Sequence, residues 1–359
     1  MSLLSLFQDS AEKAISSHVF PGCVVGFVTR EGDIGVFPFG RTTYENDSPE
    51  VRPDTIYDVA SITKSIPTGS LALQLVGEGA LDINAKLIDY LPEFDNSDRE
   101  NILIKHLLTY TVSGCRMASL IDRSAEEMRK ALLSSEFANR PGEAFKYSNL
   151  PAALLGFVIE RITGNTIDHL AEERLFNPLG MKRTTFHPEL LNKDEIAPTE
   201  IDDWRGLVHG FVHDESAYVA KREGIIMGHA GLFSTAPDIL NFLEMLLNDG
   251  SLSGRRYFSE DVAGLMEKNQ IAHLNGSAGL GWELNRPHFM GEKCSPRVCG
   301  KAGFTGTVCV CDREKGVAWL ILSNRTFPKR SADSSAINSF RKEMGDLIYG
   351  NLSEDALFD

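Results

Sequence analysis

The sequence predicts an α/β (α+β) fold, in which both ends of the chain build one antiparallel sheet flanked by helices. Three observations lead to this prediction. Apolar runs near residues 23–43 predict a strand hairpin, and a second hairpin is predicted in "GTVCVCDREKGVAWLILSN" near the other end. Helical patterns fill the middle of the chain. The simplest arrangement is a sheet domain interrupted by a mostly helical insert.

The individual elements follow in chain order. The opening "MSLLSLFQDSAEKAISSHVF" has the pattern of an amphipathic helix, and "CVVGFVTR" and "DIGVFPFGRTT" are the strands of the first hairpin, separated by "EGD". Helices are predicted over 61–78, in "IKHLLTY", in "LPAALLGFVIERIT" and in "APDILNFLEMLLNDG", several of them ending at glycine. The second hairpin turns at 312–316, and residues 331–352 again favour a helix.

These elements predict two domains. Residues 1–65 and 256–359 would form the domain with the central sheet, and residues 66–255 would form the inserted helical domain. We expect the active site in the cleft between them.

Charge and hydropathy exclude some functions. The chain has 36 basic and 50 acidic side chains, a formal net charge of -14, which disfavours nucleic acid or an anionic membrane surface as the main partner. A small local basic site is still compatible with this charge. No stretch approaches the roughly 18 apolar residues of a membrane span. Without a visible signal peptide the compartment is open: cytoplasmic as the sequence stands, extracytoplasmic if a leader has been removed.

Six cysteines in 359 residues do not indicate a disulfide framework. Cys309 and Cys311 fall on one face of a predicted strand, shortly after Cys294 and Cys299. Their spacing fits no common zinc pattern, so we expect buried small side chains or free thiols and no metal site. We also expect no cofactor, because no phosphate cradle accompanies the apolar stripes.

The segment "DVASITKSIP" places a serine and a lysine three residues apart where a helix is predicted to begin. On one helical face, the amine of Lys64 can reach the hydroxyl of Ser61. The start of a helix also offers unpaired N–H groups beside that oxygen. A lysine kept neutral by its surroundings could remove the serine proton, and Pro67 would lie early enough in the helix to be tolerated. Alone, the pair also fits a helix cap with a solvated lysine.

Two further polar segments are candidates for the same site. In "PGEAFKYSNLPAALLG", Tyr147 and Asn149 precede an apolar helix and could project into a cleft. Ammonium groups near Tyr147 would favour its charged form, so that it could serve as a second acid or base. In "CGKAGFTGTVCVCD", Lys301, Ala302 and Gly303 enter a predicted strand whose glycines allow a substrate to approach the backbone.

The histidines of the loop-rich span "LVHGFVHDESAYVAKREGIIMGHAG" could suggest a metal site. They show neither HxH nor HExxH spacing. We interpret His229, which is flanked by glycine and precedes "LFSTA", as lining the cleft or bracing a loop.

SITK, YSN and KAG, in this order, resemble the three motifs SxxK, YxN and KTG of the serine β-lactamase and penicillin-binding protein superfamily. Their intervals are similar to those of the class C β-lactamase-like branch with its D,D-peptidase and esterase relatives. The likeness continues through "IKHLLTYTVSG", "GHAGLFSTAPDILNF" and "LSNR". It covers the chain from about Phe20 to Arg325, and the sheet, helices, sheet order agrees with that superfamily's fold.

The resemblance implies hydrolysis of an amide or ester through an acyl-enzyme. Ser61 would be the nucleophile, with its N–H and that of Phe304 forming the oxyanion hole. The other roles implied are proton transfer by Lys64 and Tyr147, positioning by Asn149, positive charge from Lys301, and substrate binding by Ala302, Gly303, His229 and Asn324.

One departure from the motifs bears on the substrate. Ala302 replaces the middle residue of KTG and lacks the hydroxyl that binds the substrate carboxylate in many relatives. Asn324 or Arg325 could supply that contact, although a solvated surface arginine is the other interpretation. The expected partner is therefore a small molecule: a β-lactam, a D-alanyl peptide or an ester. A β-lactamase or D,D-carboxypeptidase activity comes first, with a small-ester carboxylesterase and a sensor that acylates without turnover as alternatives.

Overall fold

A computed structural model describes residues 2–351 of the chain. Its main feature is a six-stranded sheet with the order β2-β1-β12-β11-β10-β9, whose neighbouring strands are antiparallel. The strands of the described residues are β1 (Gly22–Thr29), β2 (Ile34–Gly40), β3 (Tyr57–Asp58), β4 (Glu200–Asp202), β5 (Gly206–Val208), β6 (Phe233–Ser234), β7 (Ser251–Leu252), β8 (Arg255–Arg256), β9 (Glu283–Leu284), β10 (Cys299–Ala302), β11 (Val308–Asp312) and β12 (Val317–Ser323).

The α-helices lie at both ends of the chain and throughout its middle. They are α1 (Leu3–Ser16), α2 (Ser70–Gly77), α3 (Leu87–Tyr90), α4 (Ile104–Leu108), α5 (Ala125–Leu133), α6 (Leu150–Thr163), α7 (Ile167–Ala171), α8 (Glu215–Arg222), α9 (Ala236–Leu247), α10 (Glu260–Glu267), α11 (Pro287–Met290) and α12 (Ser335–Gly350). Within residues 2–351, no helix is both long and apolar enough to span a bilayer.

Both predicted hairpins are confirmed, and they join through β1 and β12 at the centre of the sheet. The two faces of β1 are buried in different clusters, because side chains alternate along a strand. Cys23, Val25 and Phe27 pack in a cluster with residues of α1 and α12, whereas Val24 and Val28 pack in the large cluster that includes the middle helices. The sheet is therefore covered on both faces, as predicted.

The predicted helix over 61–78 is wrong in its first half. Ser61 lies in a short 3₁₀ turn, Ala60–Lys64, and regular helix begins only at α2. Between them Ile66 has extended backbone angles, φ -119 and ψ 109. Pro67 explains the break, because a proline has no N–H to donate and disfavours the helical conformation of the preceding residue.

Helix α9 bears on the proposed domain boundaries. It belongs by sequence to the helical insert, yet its Leu240 lies on the sheet, with one methyl carbon 3.2 Å from where a Cβ on Gly26 would be. The larger apolar cluster is continuous from this sheet face into the middle helices. The division at 65/66 and 255/256 stays a proposal, and this packing favours assigning α9 to the sheet domain.

All six cysteines are free thiols in the structure. Cys23, Cys299, Cys309 and Cys311 are buried, whereas Cys294 is half-buried. Among residues 2–351, no group of three or more His, Cys, Asp or Glu side chains is arranged to hold a metal ion.

Candidate active site

Ser61 lies next to the KAG loop, the segment 301–307 that includes the end of β10 and leads into β11. The residues just before Ser61 are tied to this loop by two buried hydroxyl groups. Thr305 donates to the carbonyl of Asp58 at 2.7 Å, and Thr307 donates to the carbonyl of Val59 at 3.0 Å. These bonds join segments about 250 positions apart in the sequence and fix the serine against the loop.

Lys64 is the closest basic group to the serine. Its Nζ lies 2.8 Å from the Ser61 Oγ and 2.8 Å from the carbonyl oxygen of His229, and the side chain is buried. Burial and, to a smaller extent, the positive charge of Lys301 lower the pKa of Lys64 to about 7, since both disfavour its charged form. A large share of Lys64 is therefore neutral at neutral pH and able to accept a proton.

The half-buried carboxylate of Asp214 connects several polar groups of the site. Asp214 accepts hydrogen bonds from the amide of Asn149 at 3.2 Å and from the hydroxyl of Ser216 at 2.6 Å, and its Oδ1 lies 3.0 Å from the Nε2 of His229. Burial alone would raise the pKa of Asp214, but the contacts with His229 and Ser216 hold it well below its ordinary value. Asn149 thus contacts Asp214, and within residues 2–351 it has no hydrogen bond to Lys64.

His229 does not have the position expected of a substrate ligand. Its side chain is fully buried, and its Nε2 faces Asp214. Its backbone carbonyl, and not its ring, contacts Lys64. The alternative interpretation, that His229 braces a loop, fits this environment, so the expectation that it binds substrate is corrected.

Lys301 and Tyr147 lie together in the site. The Nζ of Lys301 is 4.3 Å from the ring centroids of both Tyr147 and Tyr110, and 3.0 Å from a carboxylate oxygen of Glu283. The Nζ of Lys64 is 5.5 Å from the Tyr147 ring centroid. The structure therefore brings together all three predicted motifs, although the catalytic role of each side chain stays a prediction.

Tyr147 differs from expectation in its protonation. The residue is 44% exposed, but desolvation raises the pKa of its phenol to about 12, and the charge of Lys301 and a contact with Ser61 only partly offset this rise. From the sequence, the charged form of the Tyr147 phenol was predicted to be favoured. Tyr147 instead remains a phenol at neutral pH and is suited to donate a proton.

The KAG loop presents a free backbone donor. Gly303 packs directly on the segment before Ser61: an added Cβ would lie 2.5 Å from the Val59 carbonyl oxygen, so only glycine fits. Among residues 2–351, the N–H of Phe304 has no backbone acceptor. Buried Arg341 of α12 donates to the carbonyl of Gly303 at 2.8 Å and thereby fixes the loop. This arrangement is compatible with the predicted oxyanion hole.

Asn324 is also placed differently from a substrate ligand. It is 1% exposed, and its amide nitrogen donates to the carbonyls of Thr42 and Pro198, at 2.8 Å each. These bonds hold two loops together. The predicted substrate contact through Asn324 is thus not supported by its environment.

Several residues of the site were not predicted from the sequence. Asp214 follows His213 in the histidine-containing span "LVHGFVHDESAYVAKREGIIMGHAG", but no role was predicted for it. Tyr110 lies within "IKHLLTYTVSG". Glu283 and Arg341 carry no local signal, because each reaches the site from an element that is distant in sequence.

Comparisons of the sequence with known proteins agree with the motif order. The family model described as Beta-lactamase matches residues 7–341. A protein of Escherichia coli (strain K12), named as a putative D-alanyl-D-alanine carboxypeptidase, is 29% identical over 309 residues, which cover 76% of this chain and 69% of the relative. A protein of the same name in Salmonella agona is 30% identical over 306 residues, covering 76% and 70%.

Solved structures share the fold at low sequence identity. Unliganded simvastatin synthase from Aspergillus terreus has a TM-score of 0.77 and 20% identity, covering 99% of this chain and 100% of that one. EstCE1, described as a hydrolase with promiscuous acyltransferase activity, has a TM-score of 0.77 and 18% identity, covering 97% and 98%. A penicillin-binding protein homologue from Caulobacter crescentus has a TM-score of 0.74 and 17% identity, covering 98% of each chain.

Proposed function

Because the chain belongs to the Beta-lactamase family, we propose that this serine hydrolase cleaves an amide or ester through an acyl-enzyme on Ser61. One observation carries the proposal. The amine of Lys64 lies 2.8 Å from the Ser61 hydroxyl and has a pKa of about 7. A serine hydroxyl becomes a strong nucleophile only when a base removes its proton, and a neutral amine at this distance is such a base.

The other groups of the site have complementary tasks in this mechanism. Lys64 takes the proton as Ser61 attacks the carbonyl carbon, and the N–H groups of Ser61 and Phe304 stabilise the oxyanion. Tyr147, protonated at neutral pH, donates a proton to the leaving group. Lys301 holds the Tyr147 ring from the other side. A water molecule then attacks the acyl-enzyme and releases the acid.

Two substrate classes are compatible with this chemistry. The names of the Escherichia coli and Salmonella relatives support a peptide ending in D-alanine. The second candidate, a small ester, is favoured by Ala302, whose side chain has no hydroxyl to bind the carboxylate at the end of such a peptide.

The test of the nucleophile is replacement of Ser61 by alanine. The wild-type protein should be labelled by a fluorescent fluorophosphonate and should hydrolyse at least one of nitrocefin, a D-alanyl-D-alanine peptide and p-nitrophenyl acetate. S61A should lose both labelling and turnover, whereas a control variant at an exposed serine, S119A, should keep both. Labelling of S61A at the wild-type rate would exclude Ser61 as the nucleophile.

A burst experiment separates the hydrolase from the sensor that acylates without turnover. Steady product release beyond one equivalent per protein is expected of the hydrolase, because water must regenerate Ser61. A single equivalent followed by a plateau would contradict turnover and favour the sensor.

A further inference from the structure

Glu283 of β9 places a negative charge inside the candidate active site. Its Oε1 lies 3.0 Å from the Nζ of Lys301, and its Oε2 lies 3.6 Å from the Nε of Arg286. β9 and β10 are neighbours in the sheet, with Glu283 opposite Gly300, so the register of the sheet fixes this contact. Burial would raise the pKa of Glu283, but the charge and hydrogen bond of Lys301 keep it lowered, and the carboxylate stays ionised.

The surroundings of Lys301 leave its ammonium group no free side for an anion. The side chain is fully buried, two tyrosine rings flank its Nζ at 4.3 Å, and Glu283 accepts its hydrogen bond. A substrate carboxylate at this position would meet a cation that is already neutralised, together with the repulsion of Glu283.

The neighbouring groups do not replace the missing anion site. Ala302 has a methyl group where a hydroxyl could otherwise donate. Arg325 donates its Nε to the carbonyl of Phe304 at 2.8 Å, and its guanidinium stacks on the Phe304 ring at 4.7 Å. Arg325 is therefore engaged with the KAG loop and not with Lys301.

From these contacts we propose that Glu283 is a specificity-determining residue that selects substrates uncharged near the reacting carbonyl. Neutral esters and amides would be accepted, and substrates with a carboxylate facing Lys301 would be rejected. The inference rests on the proposed acyl-enzyme function and names its substrate class. It assigns to Lys301 the task of holding Tyr147 in place, and not that of binding a substrate anion.

The test compares isosteric substrates that differ only in charge. For the leaving group the pair is 3-acetoxybenzamide and 3-acetoxybenzoate, and for the acyl group it is the p-nitrophenyl esters of 4-carbamoylbenzoic acid and of terephthalic acid. In the wild-type protein we expect kcat/KM to favour the neutral member of at least one pair by roughly tenfold or more. In E283Q, that preference should fall by roughly tenfold, because the negative charge that neutralises Lys301 and repels the anion is removed.

Three variants make the result specific. E283D keeps the charge and should keep the preference. E100Q removes the carboxylate of an exposed ion pair in which the Lys86 Nζ and a Glu100 carboxylate oxygen are 2.9 Å apart. It changes the net charge by the same amount as E283Q and should leave the preference unchanged. R325Q removes a cation that contacts Phe304 of the KAG loop and should leave the preference intact. Thermal unfolding of each variant checks that it is folded.

The outcomes distinguish this inference from the proposed function. Equal wild-type rates on both members of both pairs, or a preference unchanged in E283Q, would overturn the role of Glu283 while leaving Ser61 as the nucleophile. The role of Glu283 would also be overturned if the wild-type protein hydrolysed the anionic substrates and R325Q did not. That result would place the anion-binding site at Arg325. Loss of the proposed function is seen separately, as labelling of S61A.

Discussion

Two buried lysines lie near the Tyr147 ring, and their surroundings differ in one decisive respect. Among residues 2–351, no carboxylate forms an ion pair with Lys64, whose Nζ contacts a hydroxyl and a carbonyl. Lys301 pairs with Glu283 at 3.0 Å and lies between two tyrosine rings. Both side chains are inaccessible to solvent or nearly so.

The difference shows how one fold gives two lysines opposite tasks. Burial without a counter-ion favours the neutral amine, and it lowers the pKa of Lys64 to about 7. A carboxylate contacts Lys301 directly, so the positive charge of Lys301 is paired with the negative charge of Glu283. Lys301 in turn lowers the pKa of Lys64, which makes this cation part of the reason why the other lysine can act as a base.

The largest effect is expected when each lysine is replaced by arginine. K64R should lower kcat/KM by roughly a thousandfold, because a guanidinium remains protonated at neutral pH and cannot accept the serine proton. K301R keeps the positive charge. The decrease in kcat/KM in K301R should be at least tenfold smaller than the decrease in K64R. Steady-state kinetics on p-nitrophenyl acetate provides the comparison.

Both arginine variants need evidence of folding, since each places a larger side chain in a buried position. Circular dichroism and thermal unfolding supply it. Equal decreases in kcat/KM in K64R and K301R, with both proteins folded, would contradict the proposal that the two lysines have different roles.

The pH dependence should show an effect of about one order of magnitude. As pH rises through the pKa of Lys64, about 7, the amine loses its proton and becomes a base, so kcat/KM should rise roughly tenfold between pH 6 and pH 8. No decrease is expected below about pH 10, because Tyr147 keeps its proton until about 12. A neutral ester is the appropriate substrate. A rise centred near the ordinary lysine value of about 10.4 would be incompatible with a depressed Lys64 pKa.

The local part of the site could be predicted from sequence, because it depends on short spacings. Ser61 and Lys64 are three positions apart in the sequence, and even in a 3₁₀ turn this spacing leaves the Ser61 Oγ and the Lys64 Nζ 2.8 Å apart. The continuous apolar runs of the two hairpins likewise predicted the central strands, since a strand buried on both faces needs such a run.

The long-range part could not be predicted, because it depends on sheet register and on loop packing. Glu283 reaches Lys301 only because β9 pairs with β10, and β9 has two residues, too few to give a pattern. Asn149 was expected to contact Lys64 or the substrate, but Asp214 accepts its hydrogen bond from another loop. The exclusion of nucleic acid as a partner, derived from net charge alone, stays a prediction.

The smallest effect concerns Asp214, the carboxylate that does not contact Lys64 but still acts on its pKa. The negative charge of Asp214 raises the pKa of Lys64, opposing the effects of burial and of Lys301. In D214N this charge is lost, so the pKa of Lys64 should fall, and the rising limb of the pH profile should move to lower pH by roughly half a unit. Stability should also decrease, by about 1 to 3 kcal/mol, since buried donors lose a charged acceptor.

The matched control is D238N, which alters a different carboxylate. Asp238 accepts hydrogen bonds from the Arg183 N–H at 2.7 Å and from the Thr184 hydroxyl at 2.9 Å. D238N should lose stability without moving the pH profile, so the two variants separate an electrostatic effect on Lys64 from a general loss of packing. The rising limb of the pH profile could move to higher pH in D214N, or could stay at the same pH as in D238N. Either result would show that Asp214 does not raise the pKa of Lys64.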